Sequence, residues 1–227
     1  MNFLSHYYVD HTDERPYYTL GLVMPDLAKI FRSSWRITPK ILPRSNKSEV
    51  IALNEGIERH VEVDAVFHSS DFFKEYNSLI NTMLGRGKLE SVNKYVFFLS
   101  HVLFEMMLDR MLVKHFPHIG HQFYDQLEKV EKEVVEMYLK DLNFVEDRNE
   151  FFAFFERFRN SRYLLDYIRN ESMIYALGRV FSRIDKVKFT TADAKLLDKV
   201  INELDERLAD GYLAIFHKLN PRLKRVS

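Results

Sequence analysis

Apolar residues recur every three to four positions along most of this chain, and no stretch alternates apolar and polar residues as a half-buried strand would. Phe3, Leu4, Tyr7 and Tyr8 predict a short N-terminal helix that carries His6. Thr12 to Pro16 reads as a turn. Leu20 to Phe31 follows as a helix with Pro25 near its start, where a missing N–H costs least. Segment 32–46 contains Pro39 and Pro43 among Arg, Lys and Ser, and reads as a surface loop. Ser48 to about Phe67 is helical, with Ser48 as N-cap but no capping box, because Ile51 stands where Glu or Gln would close it.

Ser69 or Ser70 is placed to cap a helix from Asp71 to about Leu84, which Gly85-Arg86-Gly87 ends. Val92 to Phe116 is apolar on most sides, the pattern of a nearly enclosed central helix. Pro117 and Gly120 break the chain. Further helices are predicted at about 121–140, 147–158, 161–169, 171–184 and 191–217, with a basic tail from Asn220-Pro221. The expected fold is all-α: a single helical domain over 1–227, of eight or nine helices.

Composition agrees with few, long elements. Only 7 glycines and 6 prolines punctuate 227 residues, against 19 Phe and 12 Tyr. Lys+Arg and Asp+Glu are both 33, so the chain has no net charge, which argues against a strongly basic nucleic-acid-binding domain. There is no cysteine, so any metal must be held by imidazole and carboxylate. The N-terminal run lacks a basic segment followed by an apolar one, and no apolar run approaches the roughly 20 residues of a membrane span. A cytoplasmic protein without a membrane span is expected.

The candidate chemistry lies in helical spacing. His60-x3-Asp64 and His101-x3-Glu105-x3-Asp109 each stack ligand-type side chains on one helix face. Two such helices, with His6 and Asp26, would offer nitrogen and oxygen ligands to Mn, Fe, Zn, Co or Mg. An isolated His/acid pair four apart is ordinarily a surface hydrogen bond, and a core acid ordinarily pairs with arginine. The His101 run stands out because its neighbours are Phe, Leu, Val and Met, and a buried polar group needs a partner. His68 reads as a helix-end histidine, or else as a partner to a ligand. His115, His118 and His121 read as a solvated loop, the Phe-rich run 151–158 as core, and the Lys/Arg positions 29, 32, 36, 40, 44 and 47 as a solvated edge that would also suit an acidic partner.

Taken in order, MNFLSH, LGLVMPDLAK, GIERHVEVDAVFH, FEMMLDRMLVKHF, RYLLDYIRNESMIYALGRVFSRI and FHKLNPRL resemble the bacterial acyl carrier protein phosphodiesterase (acyl carrier protein hydrolase) family. The resemblance spans most of the chain except about 120–158. It implies an HD-domain-like helical fold, a divalent metal (manganese, with iron, zinc or magnesium as alternatives), and hydrolysis of the 4′-phosphopantetheine phosphodiester of holo-acyl carrier protein as partner and substrate. It further implies His6, Asp26, His60, Asp64 and Asp109 as metal ligands. Asp64, Glu105 and His101 are the candidate catalytic groups, with His101 put forward on position alone. Three departures stand out. Val61 replaces the family's arginine, Arg110 replaces the histidine after its second acid, and Leu22 replaces its asparagine. Those departures leave open another phosphoester substrate or a non-catalytic binding protein.

Overall fold

In the computed structural model, which describes residues 1–11, 14–87, 89–91, 93–144, 146–185 and 188–220, the regular structure is entirely helical. Eleven α-helices are present among the described residues. They are α1 (Phe3–Asp10), α2 (Pro16–Phe31), α3 (Ser48–Ser69), α4 (Asp71–Gly87), α5 (Val96–His115), α6 (Pro117–Glu128), α7 (Lys132–Asp141), α8 (Arg148–Ser161), α9 (Asn170–Asp185), α10 (Thr191–Leu208) and α11 (Leu213–Leu219). Short 3-10 turns occupy Pro39–Ile41, Asn93–Tyr95 and Tyr163–Ile168. The all-α expectation therefore holds. Thr12 of the expected turn, Val92 and the basic tail from Pro221 lie outside the described residues.

Two predicted helices are each divided, and the helix expected at 161–169 is instead the 3-10 turn Tyr163–Ile168. Lys129, Val130 and Glu131 separate α6 from α7, and 209–212 separate α10 from α11. Pro117 does break the chain, but it then opens α6 at a position that needs no N–H donor, and Gly120 lies inside that helix. His118 and His121 are accordingly exposed helix residues rather than loop residues, while His115 Nδ1 lies 2.9 Å from the Tyr212 hydroxyl. Pro25 sits well inside α2, which begins four residues earlier than Leu20.

The chain divides into two compact units. The first comprises Met1, Phe3–Ala65 and His118–Tyr163; the second takes Asn2, Val66–Pro117 and the described residues from Leu164 onward.

In the first unit α1 is buried along Phe3–Val9 and packs on α2. Arg59 of α3 pairs with Asp10 at the end of α1. α8 packs on α2 and α7, and its Phe151, Phe152, Phe155 and Phe158 are core residues. Segment 32–46 is not simply a surface loop, because Trp35 and Ile37 are buried. Trp35 stacks on Phe144 with ring centroids 4.9 Å apart. That contact depends on Asn143, which takes a left-handed conformation (φ 61°) after α7 and lets Phe144 N–H donate to Leu139 O at 2.9 Å. Asparagine tolerates this conformation better than most residues.

The second unit pairs α4 with α5 and lays α10 across both, with α9 beside it. α10 begins with a capping box: Asp193 N–H donates to Thr190 Oγ1 and Thr190 N–H donates to Asp193 Oδ2. Buried Asp193 also accepts from Glu90 N–H (2.7 Å) and from the Ser91 hydroxyl (2.5 Å), fixing the approach to α5. No helix among the described residues is long and apolar enough to cross a membrane.

Candidate metal centres

The first centre arises where α2 and α3 touch through glycine. A Cβ built on Gly21 would lie 2.9 Å from Gly56 Cα, and one built on Gly56 would lie 2.8 Å from Gly21 Cα. Each would come still closer to a backbone carbonyl oxygen, that of Leu53 or of Tyr18. Only glycine at both positions allows this approach. Its consequence for the site is local. Leu22 O of α2 reaches His60 Nδ1 of α3 at 2.8 Å, and Asp26 lies one turn beyond Leu22.

A carbonyl can only accept, so His60 Nδ1 carries the proton. That bond leaves Nε2 as the ring nitrogen turned away from the carbonyl, the arrangement in which an outer hydrogen bond fixes a ligand's tautomer. His6, from buried α1, stacks on His60 with centroids 4.1 Å apart and planes inclined by 24°. Ligand atoms of His6, Asp26 and His60 all lie within 4.8 Å of one another. His6 and His60 are buried and Asp26 is half-buried.

Neither ring nitrogen of His6 makes a hydrogen bond of ordinary geometry, although Nε2 stands 3.3 Å from Asp64 Oδ1. Burial, then the neighbouring His60, push the His6 imidazole down to about 3 against the pull of Asp64. It is therefore neutral and keeps a lone pair available near pH 7. For Asp64, burial alone would raise the carboxyl. His6 and the N-terminal ammonium, 2.5 Å from Oδ1, reverse this and hold it well below the carboxylate range. Asp64 is partly accessible, with 31% of its side chain exposed.

A pH dependence follows. The folded state holds His6 far below its unfolded value of 6.5, so the unfolded chain binds the extra proton between pH 6.5 and about 3. Stability of the metal-free protein is expected to fall by about 1 kcal/mol per pH unit on acidification through that window. His6→Gln should remove that slope in denaturant titrations at pH 6.5, 5.5 and 4.5. Equal slopes for both proteins would show that His6 is not held neutral by the fold.

The second grouping comprises His68, His101 and Glu105. Its three nearest atoms form a triangle. His68 Nε2 and His101 Nε2 are 3.1 Å apart, and they lie 2.9 and 3.0 Å from Glu105 Oε1. Burial would raise the Glu105 carboxyl, but hydrogen bonds to His101 and His68 help to bring it below its ordinary 4.5. His68 has both the helix-end position and the partner contacts that its sequence allowed. It is in the last turn of α3 and is bonded to both other members.

Of the residues expected to act together, His6, Asp26 and His60 converge, and Asp64 adjoins His6. Glu105 and His101 meet His68. Asp109 is fully buried on α5, one turn past Glu105, and belongs to neither grouping. Arg110 is also accounted for: its guanidinium grips Asp205 of α10 (Nε to Oδ1 2.9 Å, Nη2 to Oδ2 2.7 Å) and donates to Tyr167 O at 2.5 Å. Searches against protein-family models, curated proteins and solved structures return no match for this chain.

Proposed function

We propose that this chain is a metal-dependent phosphodiesterase of the acyl carrier protein hydrolase type, with an HD-like helical fold. The observation that supports it best is the convergence of His6, Asp26 and His60 from three helices, with both imidazoles neutral or tautomerically set to offer a lone pair. They are three of the five residues that the resemblance marks as ligands; Asp64 adjoins His6, and Asp109 stands apart. Two imidazoles and a carboxylate suit Mn, Fe or Zn better than Mg. An ion held there supplies an acidified water and polarises a phosphoryl oxygen.

The protein groups have separate tasks. The Leu22 carbonyl orients His60, and burial keeps His6 unprotonated. Asp64, held ionised and partly accessible beside His6, accepts a hydrogen bond from water and orients it, and the water's proton passes to solvent as its oxygen adds to phosphorus. The phosphodiester between 4′-phosphopantetheine and the carrier protein is then broken, and the leaving oxygen is protonated from solvent. Exposed Lys29, Arg36, Lys40, Arg44 and Lys47 offer positive charge to an acidic carrier protein.

Manganese-loaded protein is expected to release 4′-phosphopantetheine from holo-acyl carrier protein, and His60→Ala to reduce the rate by about 100-fold or more, since it removes both a ligand and its orienting bond. Release by His60→Ala at the wild-type rate would sink the site assignment. Hydrolysis of bis-p-nitrophenyl phosphate without release from the carrier would leave the metal chemistry and change the substrate to a smaller phosphoester.

Arg110 favours a second reading. It stands where the family carries a histidine and is committed to Asp205 and Tyr167 O. A helical binding protein that retains the metal site without hydrolysis would bind manganese and show neither activity.

A further inference from the structure

We infer that His68, His101 and Glu105 form a second metal centre, an open three-ligand site for one divalent first-row transition ion. The inference rests on this triad alone and does not depend on the function proposed above.

The first argument is geometric. Three donor atoms about 2.1 Å from an ion, at right angles to one another, lie about 3.0 Å apart. The observed separations are 2.9, 3.0 and 3.1 Å. The three atoms thus already occupy one face of an octahedron. Two imidazoles with one carboxylate, and the remaining positions open, is a donor set for Mn, Fe, Co, Ni or Zn rather than for Mg or Ca.

The second argument concerns protons. Without an ion, two ring nitrogens 3.1 Å apart converge on a single carboxylate oxygen, and at least one N–H must lie between them. An ion at the centre displaces such protons and uses all three lone pairs at once.

The third argument is that the side chains are held in place. His101 and Glu105 are one turn apart on α5, so the helix sets their spacing. Phe73 of α4 meets the His68 ring edge-on at 4.8 Å and the His101 ring at 4.9 Å. Phe67 contacts His68 at 5.2 Å. The turn that makes this possible is the break at Ser69-Ser70, where the Ser70 hydroxyl accepts from Phe73 N–H at 3.1 Å. Side-chain exposures of 29%, 32% and 16% leave a side of the triad open to water or a small ligand.

The test uses the full chain, stripped with chelator and titrated with Co(II). Its visible absorption is followed, and bound cobalt is counted after gel filtration. Wild type is expected to bind two ions, His101→Ala and His60→Ala one each, and the double variant none. Glu105→Gln should weaken the second site by at least tenfold. Far-UV circular dichroism checks folding, and His68→Gln, at the helix end, serves if His101→Ala misfolds. If wild type binds one ion that His60→Ala keeps and His101→Ala loses, the second centre stands and the first fails. If His101→Ala, His68→Gln and Glu105→Gln all bind as many ions as wild type, the proposal is overturned.

Discussion

Gly56→Ala is expected to cost the protein about 3 kcal/mol and to remove metal from the His6–Asp26–His60 centre, although alanine is the better helix former. The reason is the α2–α3 crossing. An added methyl at Gly56 meets the Tyr18 carbonyl and lies 2.8 Å from Gly21 Cα, and neither is a flexible side-chain end that can move aside. The helices must separate, and separation breaks the bond from His60 Nδ1 to Leu22 O that sets the ligand tautomer. Gly21→Ala meets the Leu53 carbonyl and should behave alike. The control is Gly85→Ala. That glycine lies in α4 with nothing within 4 Å of its added Cβ, so alanine should stabilise by about 0.5–1 kcal/mol through helix propensity. Urea denaturation of all three variants, with metal counting, decides the matter. A Gly56→Ala protein as stable as wild type, with metal retained, would refute the view that the glycine contact builds the site.

Arg110→Ala is expected to cost about 3 kcal/mol. Arg110 is buried, and its removal leaves the Asp205 carboxylate with Lys114 alone and the Tyr167 carbonyl without this donor. Burial raises the Asp205 carboxyl, but Arg110 and Lys114 more than offset that and hold it below its ordinary 3.8. Breaking one side of a buried ion pair costs more than replacing both sides by apolar groups of similar volume. Arg110→Met with Asp205→Leu should therefore be less damaging than Arg110→Ala. Arg110→His, which restores the family residue, should also destabilise, because an imidazole cannot supply the forked contact to Asp205 and the donor to Tyr167 O together. Equilibrium unfolding measures each cost. A loss below 1 kcal/mol for Arg110→Ala would mean that the pair does not hold α5 to α10.

These two residues show how sequence patterns acquire different meanings in the fold. Gly21 and Gly56 belonged to the segments that carried the family resemblance, and their role is the close approach of two backbones. Arg110 drew notice as a departure from that family, yet its partner Asp205 lies 95 positions away and no local pattern announces it. The capping box at Thr190 carries Asp193 where Glu or Gln is the usual signal, so its pattern is weak in the sequence. The breaks between α6 and α7, and between α10 and α11, interrupt the apolar spacing too little to be legible from it.

By itself the sequence determined the helical class, since scarce glycine and proline and a period near 3.6 leave little room for strands. It also determined which ligand-type side chains share a face, because residues four apart on a helix are neighbours whatever surrounds them. The absence of cysteine restricted any metal to nitrogen and oxygen donors. Tertiary structure decided which faces meet. The glycine crossing brings His60 to the backbone of α2 and completes a group with His6 and Asp26, whereas the break at Ser69-Ser70 and the packing of Phe73 place His68 against His101 and Glu105. Asp109, on the same helix as Glu105, enters neither group. Convergence between helices depends on how closely and at what angle backbones cross, and that is set by side-chain volume at contacts far apart in the chain.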